Sequence, residues 1–288
     1  MGRIHQAIRR AEQEAKQLPR KNEAPAQNQN WFTSMISSRP SVDIPRPRLV
    51  QELLIPASDV DSGESLDLRP SSLIVAVSAP KSFAGQQYGI LRKKLCQIKK
   101  EKGLSTVLVT SLSPSEGKTL SAVNLSFTIA QEINQRVLLV DANLERPGVE
   151  SLLGFSADDG LADYLSGSKS SEEIILKTKV SNLCIASSGR VTEDPGGLLN
   201  CQRMARFLDY GKEHFDWVIL DAPSLFPLAE MSLLSSSADG ILLVVRHSHT
   251  PLDLILERSR ALNGKKLLGC VFNGVPVQKK GSRQVRTS

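Results

Sequence analysis

Residues 109–126 read VTSLSPSEGKTLSAVNLS, and within them Gly117, Lys118 and Thr119 set a conformationally free backbone, an ammonium and a hydroxyl in direct succession. That succession suits a polyanion. A glycine lets the chain turn so that backbone N–H groups converge, and a helix starting there adds its N-terminal dipole. The ammonium can then meet β/γ-phosphates and the hydroxyl can reach Mg²⁺. The full phosphate-loop pattern is G-x-x-x-x-G-K-[ST]. Its register here runs Leu112, Ser113, Pro114, Ser115, Glu116, Gly117, Lys118, Thr119, with leucine at the first glycine. Ser115, Glu116, Gly117, Lys118 and Thr119 are therefore the candidate phosphate contacts. Gly-Lys-Thr alone also fits an ordinary helix start. Its setting favours the loop, because the apolar run STVLVTS precedes it and the helical-period run LSAVNLSFTIAQEI follows.

Two more apolar runs end in a carboxylate. Asp141 closes the run in RVLLVDANLERP and Asp221 the run in DWVILDAP, and in an open α/β sheet the carboxyl ends of strands are where ligands bind. One such aspartate is often only a turn or cap residue. Two of them beside Lys118 and Thr119 fit a metal-nucleotide site, with Thr119, Asp141 and Asp221 as the candidate Mg²⁺ contacts. Other chemistries lack support. His247 and His249 in RHSHT have no carboxylate or thiolate nearby in sequence and read as a surface loop, and no Gly-x-Ser-x-Gly elbow occurs. Cys96, Cys184, Cys201 and Cys270 lie far apart with no Cys-x-x-Cys pair, which suits reduced thiols rather than a disulfide framework or a zinc site.

The elements that must position these residues can be read from periodicity. From Ser71 onward short apolar runs alternate with longer segments of helical period, which predicts an α/β fold: a doubly wound, mostly parallel sheet with crossover helices, of the P-loop type. The predicted strands are LIVAVSA, STVLVTS, RVLLVDA, LCIASS, WVILDAP, GILLVVR and LLGCVFNGV, nearly all apolar, as for strands covered on both faces. Helices are predicted at 86–100, 118–133, 197–214, 227–236 and 251–263, the last with Thr250 as N-cap and Pro251 at its first position.

This domain is expected to span 71–277. Before it, Ile4, Ala7, Ile8, Ala11 and Ala15 predict an amphipathic helix over 1–17. Residues 18–70, rich in Pro, Asn, Gln and Ser, read as a disordered linker. Residues 278–288 read as a basic flexible tail. The 288-residue chain is 40% hydrophobic and 23% charged, ordinary for a soluble protein, and no apolar run approaches the roughly 18–20 residues of a membrane span. The charged N-terminus lacks a secretory signal, so a cytoplasmic location is expected. The net charge of +6 includes a cluster formed by Arg92, Lys93, Lys94, Lys99, Lys100 and Lys102. It reads as a solvated face, and no nucleic-acid partner is expected.

On these motifs, residues 71–275 resemble the cytoplasmic ATP-binding domain of the bacterial tyrosine kinases that serve capsule and exopolysaccharide synthesis. That family is a branch of the P-loop ATPases that also contains chromosome-partitioning and division-site proteins. The resemblance implies ATP and Mg²⁺ as cofactors and Lys118, Asp141 and Asp221 as catalytic residues. It also implies homo-oligomerisation and work with a membrane-embedded polysaccharide chain-length regulator at the inner face of the membrane. Asn273 in VFNGV matches the asparagine that approaches the adenine, although Asn-Gly also marks an ordinary turn.

The departures from the family pattern are specific. Its loop usually reads Pro-Gly-Glu-Gly-Lys-Ser/Thr, and here Ser115 takes a glycine position. Asn143 replaces the second aspartate of apolar-Asp-x-Asp-x-x-x-Pro, and Ser224 the second proline of apolar-Asp-x-Pro-Pro. The family's ring-forming Glu-x-x-Arg-x-x-Arg helix aligns with Gln86, Gly89 and Arg92, and its tyrosine-rich tail with the tyrosine-free QKKGSRQVRTS. Tyr88, Tyr164 and Tyr210 all fall inside the folded region. The expectation is an ATP-binding regulator whose autokinase activity is weak or lost; if active, it is a Mg-ATP-dependent phosphotransferase or ATPase. Two alternatives stay open: a positioning ATPase that binds DNA or membrane, and a non-catalytic scaffold. Positioning relatives usually carry a lysine where Ser113 stands.

Overall fold

Continuous apolar runs become buried strands where helices cover both sheet faces. The computed structural model describes residues 65–190, 194–199, 202–225, 234–250 and 266–276. Its strands are β1 (Thr106–Ser111), β2 (Val137–Asp141), β3 (Ile175–Lys177), β4 (Leu183–Ala186), β5 (Trp217–Asp221), β6 (Gly240–Arg246) and β7 (Leu267–Asn273). They form one sheet in the order β3-β4-β2-β5-β1-β6-β7. Every neighbouring pair is parallel except β3 with β4. The mostly parallel, doubly wound sheet expected from the sequence is therefore present. β1, β2 and β5 are buried along their whole lengths.

The first predicted strand is a correction. Within LIVAVSA the chain forms a single helical turn, α1 (Val75–Ser78). Asn124 explains why: its Oδ1 accepts from the Ala76 N–H at 3.0 Å and its Nδ2 donates to the Leu73 carbonyl at 3.3 Å, while Gln131 Nε2 donates to the Ala76 carbonyl at 2.9 Å. These amides take backbone groups that a sheet ladder would otherwise use. A short apolar run cannot by itself be told from a buried helical segment. The expected linker over 18–70 also ends early. Leu66 bridges to Thr178, and the Arg69 N–H donates to the Leu153 carbonyl at 2.7 Å, so these residues belong to the folded unit.

The helix predicted at 86–100 is α2 (Phe83–Lys102), capped by the Ser82 hydroxyl and closed by Gly103 at φ 71°. That predicted at 118–133 is α3 (Lys118–Ala130), whose residues from Ser121 to Ala130 are all buried. Between β2 and β3 lie three short helices the periodicity did not reveal, α4 (Val149–Leu153), α5 (Leu161–Ser166) and α6 (Ser171–Ile174). In the span predicted as one helix, 197–214, the described elements are α7 (Pro195–Leu199) and α8 (Gln202–His214). The predicted helices at 1–17 and 251–263, most of that at 227–236, and the tail at 278–288 lie outside the described residues. Among the described residues no helix is long and apolar enough to cross a membrane.

Candidate functional site

The strand order brings the motifs together. β2, β5 and β1 are consecutive in the sheet, so Asp141, Asp221 and the loop after Ser111 share one edge, with Asp141 and Asp221 as register partners. Residues 112–117 carry the chain from β1 into α3, whose first amides have no intrahelical carbonyl to bond.

Two loop residues adopt left-handed backbone, Ser115 at φ 64° and Gly117 at φ 94°. At 117 the requirement for glycine is double, because an added Cβ would also come within 2.0 Å of Asn273 Nδ2. At 115 a side-chain-bearing residue holds a conformation that costs L-residues about 1–2 kcal/mol. Ser115→Gly is accordingly expected to stabilise the protein by about 1 kcal/mol, raising the thermal midpoint by about 2–4 °C. An unchanged midpoint in scanning calorimetry would count against strain at Ser115.

Glu116 differs from a surface phosphate contact. Its side chain is buried, Oε2 accepts from the N–H groups of Leu112 at 2.8 Å and Ser113 at 3.2 Å, and Oε1 accepts from the Thr250 hydroxyl. The amides of residues 112 and 113 are thus spent on the carboxylate, which leaves the anion cradle to the amides nearer the helix start. Asn273, read from the sequence as an adenine contact, has its Nδ2 on the Glu116 carbonyl at 2.9 Å; the donor half of its amide braces the loop. Thr250, Arg246 and Gly148 were not singled out as site residues by sequence reasoning. Arg246 Nη1 donates to the Ser115 carbonyl at 3.4 Å, and a Cβ added to Gly148 would meet Thr119 Cγ2 at 3.1 Å. Their contacts join segments far apart in sequence and leave no local pattern to detect.

The charged centre is Lys118 with Asp221. The Lys118 Nζ lies 3.8 Å from Asp221 Oδ1 and 3.4 Å from the Thr119 hydroxyl. Asp221 is fully buried, and neither of its carboxylate oxygens has a hydrogen-bond partner; Lys118 and Thr119 lie near without reaching hydrogen-bond geometry. Burial pushes the Asp221 carboxyl up to about 7, with Lys118 opposing the rise and Asp141 adding to it. Burial also raises Asp141, but three backbone donors pull the other way. Its Oδ1 accepts from Asn143 N–H at 3.2 Å, and its Oδ2 from Gly148 N–H at 2.9 Å and Val149 N–H at 3.0 Å. Asp141 therefore anchors the loop that leads into α4, whereas Asp221 holds its oxygens uncommitted. Asn143 donates its side-chain amide to the Arg146 carbonyl, a bond an aspartate could not make.

A fully buried carboxylate without hydrogen bonds, offset only by an ammonium 3.8 Å away, is costly unless something more cationic completes it. Asp221 beside Lys118 and Thr119 fits a hard divalent cation, which takes oxygen ligands from carboxylate, hydroxyl and water. The residues present match a Mg²⁺–nucleotide and argue against a bland helix start.

Comparison with known proteins agrees with this geometry. A family model described as an AAA domain matches residues 114–255. The Bacillus subtilis (strain 168) tyrosine-protein kinase YwqD is 29% identical over 208 residues, covering 72% of this chain and 87% of that protein. A tyrosine-protein kinase assigned to a cps region of Klebsiella pneumoniae is 31% identical over 73% of this chain, yet this chain spans only 29% of its length. The solved kinase domain of the Escherichia coli tyrosine kinase ETK superposes with a TM-score of 0.68 at 27% identity, covering 73% of this chain and 82% of that one. The phosphate loop, the two strand-end aspartates and these likenesses agree: the chain has the P-loop ATPase fold, and its homologues are bacterial tyrosine-protein kinases.

Proposed function

We propose that this chain binds ATP with Mg²⁺ and acts as a nucleotide-dependent regulator of capsule or exopolysaccharide synthesis, working with a membrane-embedded chain-length regulator. The observation that carries the nucleotide part is the fully buried carboxylate of Asp221, which has no hydrogen-bond partner and only a long ion pair to Lys118 at 3.8 Å, beside Thr119. Lys118 and the amides at the start of α3 would hold the β/γ-phosphates. Thr119 and Asp221 would hold Mg²⁺, with Asp141 using the lone pairs its backbone donors leave. When bound, Mg²⁺ supplies charge neutralisation of the phosphate oxygens. The polysaccharide part rests on kinship with the kinase family and on the cps assignment of the Klebsiella relative.

Autophosphorylation on tyrosine is expected to be absent. Phosphoryl transfer is mostly positioning, and an acceptor must arrive in line with the γ-phosphate. Each tyrosine here sits on a helix and has a contact within the folded unit. Tyr88 sits half-buried on α2, with its hydroxyl pKa raised by burial. Tyr164 packs on Phe207 at 5.2 Å with the Arg203 guanidinium over its ring, and Tyr210 stacks on His214 at 4.1 Å. Of the three α2 residues aligned with the family's ring motif, two are engaged within the chain: Gln86 donates to the Lys81 carbonyl, and Arg92 pairs with Glu132. ATP hydrolysis and phosphosite mapping by mass spectrometry on one sample with Mg²⁺ test the proposal. Nucleotide binding with no phosphotyrosine beyond a Lys118→Ala control is expected, and substantial Lys118-dependent phosphotyrosine would restore the full kinase reading.

A further inference from the structure

Three side chains, one each from the ends of β6 and β7 and one from the segment after β6, grip two residues of the phosphate loop. Arg246 donates to the Ser115 carbonyl, Asn273 to the Glu116 carbonyl, and Thr250 to the Glu116 carboxylate. The gripped residues are those where the loop departs from ease: Ser115 carries a positive φ without being glycine, and Glu116 is a buried carboxylate. Leucine at 112 removes a further point of backbone freedom. A loop with this sequence has weak local reasons to hold its shape, and the contacts from outside supply stronger ones.

We propose that Thr250 is a positioning residue for the triphosphate of the bound nucleotide, acting through Glu116; this rests on the nucleotide-binding reading above. The Thr250 hydroxyl fixes Oε1 of the carboxylate whose Oε2 gathers the N–H groups of Leu112 and Ser113. With both oxygens fixed, the first turn of the loop is tied to the segment that follows β6, and the amides at residues 115–119 are set in register for an anion. Without the hydroxyl, Oε1 stays buried with one fewer donor, and the carboxylate can rotate away from the two amides it holds. The role is separate from base recognition, because Thr250 reaches the nucleotide only through the loop.

The test uses the full chain as wild type, Thr250→Val and Thr250→Ser. Valine keeps the shape and removes the donor; serine keeps the donor. In the absence of nucleotide, hydrogen exchange over residues 112–118 should accelerate in Thr250→Val and return to wild type in Thr250→Ser, with exchange in β1, β2 and β5 unchanged. By calorimetric titration, Thr250→Val should bind ATP about five- to tenfold more weakly, and Thr250→Ser should recover that affinity. Adenosine affinity should not change between variants. Unaltered exchange in the loop, acceleration spread equally through the strands, or failure of serine to restore either readout would overturn the positioning role. If wild type itself binds no ATP, the nucleotide reading falls and the triphosphate role falls with it, while the exchange readout still shows whether Thr250 holds the loop.

Discussion

Lys118→Ala should weaken ATP binding at least about tenfold, the equivalent of about 1.4 kcal/mol. The ammonium is a point charge against phosphate oxygens, and losing a charge-assisted hydrogen bond costs about 1.5–3 kcal/mol. Its surroundings enlarge the loss. Only 12% of the Lys118 side chain is exposed and its nearest carboxylate is the fully buried Asp221, so the contact forms where water screens poorly. Alanine also removes the main group that holds the Asp221 pKa down, so the carboxyl should take up a proton and offer a metal less charge. The ATP deficit should consequently grow when Mg²⁺ is present. Isothermal titration with and without Mg²⁺ measures both effects, and equal affinity in wild type and variant would remove this loop as the phosphate site.

The second large effect concerns the nucleotide-free protein. Asp221 is raised from 3.8 to about 7, so the folded state holds its proton more tightly than the unfolded chain does. The contribution to stability is fully present below about 3.8, declines as pH rises, and is gone above about 7. At about 1.36 kcal/mol per unit the whole swing is at most about 4 kcal/mol. Asp141, raised in the same sense, adds to it, whereas Asp239 is lowered and matters only in more acid solution. Asp221→Asn should abolish most of the slope between pH 5 and 7 and leave the metal-free protein about 1–3 kcal/mol more stable at pH 8, after the cost of a buried amide is subtracted. Urea unfolding with a chelator at pH 5 and pH 8 measures this. A variant as pH-sensitive as wild type would show that Asp221 is not the group responsible. The same substitution should weaken Mg²⁺-dependent ATP binding, so stability and ligand affinity should move in opposite directions.

Much of this site was legible because parallel strands deliver their carboxyl ends to one edge. Once STVLVTS, RVLLVDA and WVILDAP are read as neighbouring strands, Lys118, Asp141 and Asp221 must converge, and the strand order brings them together. What stayed hidden depends on side chains reaching backbone across the fold. Asn124 lies 48 residues from Ala76, and its amide turns a strand-like run into a helix. Glu116 and Thr250 lie 134 residues apart, and nothing near either residue announces their bond. The short helices α4 to α6 were missed for another reason, since four to six residues are too few to establish a period. For α6 a signal did exist: Ser170 and Glu173 form the reciprocal capping box, Ser170 N–H to Glu173 Oε2 at 2.7 Å and Glu173 N–H to the Ser170 hydroxyl at 3.4 Å. Asp141 was legible in place but not in employment, because its three backbone donors come from residues two to eight positions later.

The burial of α3 bears on how this protein can respond to a ligand. Ten consecutive residues, Ser121 to Ala130, are enclosed on every side, and close-packed interiors do not slide by small continuous steps. Ligand occupancy at its N-terminus therefore has little freedom to be relayed by a piston or rotation of this helix. The yielding parts are the less enclosed strand-end segments that touch the loop: residues 143–148, hung on Asp141, and residues 246–250, hung on Glu116. A nucleotide signal in this molecule would travel sideways along the sheet edge, from one crossover to the next, with α3 as the fixed post about which they turn.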